Sequence, residues 1–222
     1  MIILKLTKTN YSKVLRFATN SLKKGKTVVY PTDTSYGLAA LISNKTAIAK
    51  LYKIKERGFN KPVHIFVASV SVAKKYVQWN SVAEKLAKKF LPGPLSMALP
   101  LKSKNKVLKK LAAGTGFLGL RIAKNNFALD LAKKAGPITA TSANLASEKG
   151  GFDSYSSKDL LKQFSDRKYK PDIIIDAGKL KKVKPSTFIK LSTKGQGNQQ
   201  EVDLEVLRAG PISEKQIFTT LK

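Results

Sequence analysis

The feature that most constrains the fold is a repeated switch of hydrophobic period along the chain. Short apolar runs stand at TVVYP (27–31), PVHIFVA (62–68), LSMALPL (95–101) and FLGLRIA (117–123). Between them lie YSKVLRFATNSLKK (11–24), NKTAIAKLYKIKE (44–56), SVAEKLAKKF (81–90) and FALDLAKKAG (127–136), whose apolar residues recur three and four apart. The first kind suits buried strands and the second suits amphipathic helices packed against them. After PITATSAN (137–144) the rhythm changes. A short helical segment, DLLKQF (159–164), precedes three strand-like runs, DIIIDAG (172–178), STFIKLS (186–192) and EVDLEVLR (201–208). SEKQIFTTLK (213–222) closes the chain as a helix. Alternation followed by a cluster of strands predicts an α/β class: a single domain over 1–222 with a twisted mixed sheet flanked by helices.

Local signals refine this reading. Asn10 is expected to cap the first helix, with Gly25 and Gly136 as helix stops and Pro92-Gly93-Pro94 ending the helix before it. KGQGNQQ (194–200) reads as an exposed hairpin loop. LASEKGGFDSYSS (145–157) reads as a mobile Gly/Ser-rich loop, with a lid over a ligand and a passive surface loop both open.

Composition narrows the chemistry. The 222 residues hold no cysteine and one histidine, His64. Disulfides, thiolate nucleophiles and cysteine metal sites are thereby excluded, and a Ser-His-Asp triad or histidine metal cluster is disfavoured. His64 lies in an apolar run and reads as a core or strand-edge residue. No stretch is apolar enough to span a membrane, and the start lacks a secretion-signal pattern, so a cytoplasmic location is expected. The 42 Lys+Arg against 14 Asp+Glu leave a net charge of +28, which attracts polyanions and anionic substrates. Much of this is lysine spread over surfaces. Five residues are arginine, and three of them, Arg57, Arg121 and Arg208, fall inside the clusters described next. Arginine in a lysine-using chain suggests that a planar two-pronged donor was needed.

Four polar clusters end a strand or lie in a loop, where sites of open α/β sheets gather. PTDTSYGLAA (31–40) puts Thr32 and Thr34 around Asp33; a Pro-Asx turn with threonines capping backbone groups is an equal reading. KIKERGFNKP (53–62) concentrates Lys55, Arg57 and Lys61 at a helix end, where cations also suit the carbonyl dipole. GLRIA (119–123) places Arg121 within an apolar strand, where a charge needs an anionic partner: a substrate carboxylate, or a protein acid, less easily arranged with so few acids. In PITATSAN (137–144) an extended backbone turns Ser142 and Asn144 to one side. KPSTFIKL (184–191) and VLRAGPIS (206–213) supply Ser186, Thr187 and Arg208.

In order and spacing these clusters, with LPGPLS (91–96), resemble the signature of the YrdC-like threonylcarbamoyl-AMP synthase family from Lys26 to Ile212. Departures include Ser35 for a valine, Ala123 and Ala209 for prolines, Lys190 for an acid or amide, and LASEK after Asn144. The resemblance implies an α/β fold with a basic concave cavity, in the single-domain form. It implies an enzyme, a nucleotidyltransferase that makes threonylcarbamoyl-AMP and pyrophosphate from L-threonine, bicarbonate and ATP. The product then serves a separate complex that modifies adenosine in tRNA. Thr34, Arg121, Ser142 and Ser186 are implied to bind threonine. Lys55, Arg57, Lys61, Asn144 and Arg208 are implied to bind ATP, with Lys55 and Arg57 acting catalytically; Thr32 could serve either substrate. Mg²⁺ is expected to arrive with ATP, held by phosphates and water, with no protein ligand set visible. A non-catalytic RNA-binding module of the same fold is the alternative, motivated by the charge; direct contact with tRNA is compatible with either reading.

Overall fold

The computed structural model describes residues 1–102, 105–194 and 201–222. In chain order its strands are β1 (Ile2–Lys5), β2 (Val28–Tyr30), β3 (Gly37–Ala39), β4 (His64–Phe66), β5 (Leu95–Pro100), β6 (Phe117–Arg121), β7 (Ile138–Ser142), β8 (Ile173–Asp176), β9 (Thr187–Lys194) and β10 (Glu201–Arg208). Its helices are α1 (Tyr11–Lys23), α2 (Lys45–Ile54), α3 (Val70–Ala73), α4 (Ser81–Phe90), α5 (Lys106–Leu111), α6 (Asn126–Ala135), α7 (Ser157–Phe164) and α8 (Glu214–Leu221). The strands form one mixed sheet in the order β1-β8-β2-β3-β7-β4-β6-β5-β9-β10. β1, β8 and β2 run parallel, as do β4 with β6 and β5 with β9; the other neighbours are antiparallel.

The period of two along each strand decides which face is covered. Val29, Leu38, Ile65, Met97, Leu120, Ile174 and Ile189 join one large core that includes residues of α2, α4, α5, α7 and α8. Val28, Tyr30, Ile138, Ile173 and Ile175 face the other way, under α1 and α6. That second helix pair covers only part of its face. Beyond it the register sets Phe66 beside Arg121, Arg121 beside Ser96, and Ser96 beside Phe188 on the same side. Here the strands present polar side chains to a hollow rather than apolar ones to a helix.

Several expectations need revision at the element ends. Asn10 takes the N-cap position of α1, but its side chain makes no capping bond; its Oδ1 accepts from Thr7 N–H at 2.9 Å and its amide donates to Lys5 C=O, which ties the preceding turn instead. Gly25 does end α1, at φ 78°, with Lys26 N–H reaching back to Ser21 C=O. α3, and α5 in the lysine-rich stretch, carry no strong periodic signal and escape sequence reading. The expected hairpin loop at 194–200 lies almost wholly outside the described residues. Among the described residues no helix is long and apolar enough to cross a membrane.

Candidate functional site

A cavity of about 250 Å³ opens on the face that α1 and α6 leave bare. Thr32, Thr34, Arg57, Arg121, Ser142, Ser186 and Arg208 all line it, so seven of the ten expected site residues, drawn from six separate chain segments, meet there. Lys55, Lys61 and Asn144 do not line it.

Each lining group is held by local structure. Thr32 makes the expected turn: its Oγ1 donates to Ser35 C=O at 2.7 Å and accepts from Thr34 N–H at 3.1 Å. Arg121 meets a protein acid, contrary to the expectation from the scarcity of acids: its Nη2 donates to Asp33 Oδ1 at 2.6 Å and to Thr34 Oγ1 at 3.1 Å. Asp33 also accepts from Lys124 N–H. The Nε atoms of Arg121 and Arg57 are buried without a partner among the described residues. Arg57 owes its place to the end of α2. Glu56 sits at φ 49°, and Arg57 N–H bonds back to Tyr52 C=O, which reverses the chain where a glycine would be usual. The Arg57 Nη2 donates to Pro62 C=O at 3.0 Å.

Two distant segments converge on the opposite wall. Arg208 donates through Nε and Nη2 to Ser186 C=O at 3.1 and 3.0 Å, and Ser186 Oγ lies 2.9 Å from Ser96 Oγ. A Cβ at Gly210 would collide with the backbone of residues 185–187, so glycine permits this approach. Part of the Arg208 fork is therefore spent on the protein, and burial beside Arg121 lowers its pKa.

Lys55 lies beneath the cavity rather than in its wall. Its ammonium donates to Ser142 C=O at 2.7 Å, Asn144 C=O at 2.8 Å and Asn144 Oδ1 at 2.9 Å. These bonds take up its three protons and brace the strand end that presents Ser142. Burial and the Arg57 charge lower its pKa to about 7, while the three oxygen acceptors favour the ammonium form. Asn144 Oδ1 also accepts from Ser142 Oγ at 2.6 Å, in the bend that follows β7. Lys61 forms an exposed salt bridge with Glu148. The segment 145–157, expected to be mobile, is pinned. Gln163 accepts from Leu145 and Phe152 N–H and donates to Phe152 C=O and Ser154 Oγ.

The cavity also contains residues that sequence reading left elsewhere: Tyr30, His64, Phe66, Ser96 and Asp153. Ser96 interrupts an apolar strand at the period facing the hollow, and that was its available signal. His64, expected as a core residue, forms part of the lining. Its ring packs on Phe188 at 4.4 Å between centroids and over Gly119, where a Cβ would overlap it. Burial and the charges of Arg208, Arg121 and Arg57 push its pKa down to about 4, so the imidazole is neutral near pH 7. Among the described residues three arginines against one unpaired carboxylate line the cavity, which suits anions with several oxygens. Among the described residues no three His, Cys, Asp or Glu side chains gather as a metal cage.

The Sua5/YciO/YrdC family model, described as telomere recombination, matches residues 20–210. The chain belongs to the Sua5/YciO/YrdC family. A Methanocaldococcus jannaschii protein named putative threonylcarbamoyl-AMP synthase is 37% identical over 190 residues, covering 85% of this chain and 86% of that protein. The Homo sapiens threonylcarbamoyl-AMP synthase is 32% identical over 174 residues, covering 78% of this chain and 59% of its own. The crystal structure of Pyrococcus abyssi Sua5 complexed with L-threonine superposes with a TM-score of 0.84 at 28% identity, covering all of this chain and 61% of that one. Against the human and Pyrococcus proteins this chain thus spans about three fifths of the relative's length. All the expected site residues lie inside the matched region.

Proposed function

We propose that this chain is an L-threonylcarbamoyladenylate synthase, turning L-threonine, bicarbonate and ATP into threonylcarbamoyl-AMP and pyrophosphate. The observation that carries this reading is the convergence of Arg57, Arg121 and Arg208 with four hydroxyl side chains in one cavity, in a family whose named members carry that activity. The reaction gathers a carboxylate, a bicarbonate and a triphosphate despite their mutual repulsion. A site of fixed guanidinium forks lowers that cost before any bond is made, and orientation supplies much of the remainder.

In this reading the amino acid lies against Thr32, Thr34, Arg121, Ser142 and Ser186, with the Arg121 fork taking its carboxylate alongside Asp33. Arg57 and Arg208 grip the nucleotide phosphates, with Lys61 at the exposed approach. Lys55 and Asn144 act mainly by holding Ser142 and the strand end in place. The threonine amine attacks the carbon of bicarbonate with loss of water, or the carbon of CO₂ formed from it with loss of a proton, and leaves a carbamate. The carbamate oxygen then displaces pyrophosphate from the α-phosphorus, and no side-chain nucleophile takes part. Mg²⁺ fits the donor set as a metal carried chiefly by phosphate oxygens and water, where it would neutralise charge on the triphosphate. Residues 1–222 serve as one functional unit in the cytoplasm, and the product passes to a separate tRNA-modifying complex.

The test is pyrophosphate release by the purified protein with each substrate omitted in turn. Release that requires threonine, bicarbonate and ATP together is expected. Absence of release, with tight salt-sensitive RNA binding indifferent to ATP, would replace this reading by the RNA-binding one.

A further inference from the structure

Among the described residues Asp153 is the one carboxylate residue lining a cavity that holds three arginines, and it comes from the 145–157 loop, for which a lid and a passive surface loop were both open. Its placement is built. On one side Phe152 is bonded to Gln163 through both its N–H and its C=O. On the other, Ser154 Oγ donates to Ala143 C=O and accepts from Gln163, and Ser154 C=O accepts from Tyr36 N–H. The chain on either side of Asp153 is thus fastened to Tyr36 just before β3, to Ala143 just after β7 and to α7. Asp33, by contrast, is committed to Arg121 and Lys124. The Asp153 carboxylate forms no hydrogen bond or salt bridge with a described residue, yet its charge is felt at both Lys55 and Arg208.

A carboxylate held in an anion site is counterproductive unless a cation lies between it and the bound anions. A hard divalent ion bound to phosphate oxygens seeks one or two carboxylates in addition. We propose that Asp153 is the protein ligand of the divalent cation that accompanies the nucleotide, making one bond from its carboxylate while phosphates and water complete the shell. The inference rests on the nucleotide reading above. The free cavity, with its three guanidinium groups, repels a lone cation, so metal and nucleotide bind together.

The experiment is titration of Mn²⁺ into the whole chain and its Asp153→Asn variant, with and without a non-hydrolysable ATP analogue, following free Mn²⁺ by electron paramagnetic resonance. Nucleotide affinity is measured in parallel with the metal chelated, and threonine affinity separately. Asparagine keeps the shape and breaks no bond, so thermal unfolding should match wild type. We expect Mn²⁺ to be retained only with nucleotide, and roughly tenfold or more tightly in wild type than in the variant. With metal chelated the variant should bind nucleotide as well as wild type or better, because a repulsive charge is gone. Equal Mn²⁺ retention by both proteins would overturn the assignment. So would loss of threonine affinity with unchanged Mn²⁺ binding, which would place Asp153 at the substrate ammonium instead. Failure of both proteins to bind nucleotide at all would remove the nucleotide reading and this inference with it.

Discussion

At the scale of single residues, the arginines divide the labour. Arg57 and Arg121 each keep a buried Nε without a partner among the described residues, whereas Arg208 is half engaged by Ser186. Replacing Arg57 by alanine removes charged hydrogen bonds worth about 1.5–3 kcal/mol, a ten- to hundredfold loss of kcat/KM for ATP. Arg121→Ala should instead raise the KM for threonine more than that for ATP; equal effects on both substrates would count against its carboxylate role. Arg121→Lys serves as the folding control, since it keeps a charge beside Asp33. His64 yields a pH prediction. Its folded pKa of about 4 lies below its ordinary 6.5, so between these values the unfolded chain binds more protons. Stability is then lost as pH falls through that window, by up to about 3 kcal/mol from this residue. Urea unfolding of wild type and His64→Gln at pH 7 and pH 4 measures it: the variant should lose less on acidification.

At the scale of elements, α7 matters through one side chain. Gln163 satisfies backbone groups of Leu145 and Phe152 and the hydroxyl of Ser154, so the segment before α7 is fastened to the core instead of swinging free. Gln163→Leu preserves bulk but strands those groups, each costing about 1–3 kcal/mol if it stays buried. We expect a lower urea midpoint and faster proteolytic cleavage within 145–157. An unchanged cleavage rate would show that the segment is held by other means. The end of α2 makes the complementary point. Lys55 continues the buried face of α2 and goes under the cavity, while the left-handed Glu56 turns the chain so that Arg57 enters it, giving neighbouring cations different tasks.

At the scale of the whole molecule, the net charge of +28 acts twice. Self-repulsion weakens the fold, while the same field draws anionic substrates inward. Raising ionic strength from about 0.01 to about 0.15 M shortens the screening length from about 30 to about 8 Å. Tm should therefore rise with salt while kcat/KM for ATP falls. A Tm that falls over the same range would mean that attractive surface pairs outweigh the repulsion.

Much of this architecture could be read from hydrophobic period alone. Runs such as DIIIDAG, with Ile173 and Ile175 under one helix layer and Ile174 under the other, can only be strands covered on both faces. EVDLEVLR, alternating half-buried Val202, Leu204 and Val206 with exposed acids, can only be a strand covered on one. The polar clusters were legible as well, because Arg121 inside an apolar strand demands a partner. Only the tertiary structure decided who that partner is. Asp33 stands 88 residues away in the chain, and β6 and the loop after β2 meet only because the mixed sheet brings them together. The same holds for His64, kept neutral by burial and by arginines from three other segments, and for Asp153, whose chain neighbours are held by a glutamine ten positions on. Periodicity is local and survives in the sequence. The side from which a charge is compensated is a property of the packed molecule.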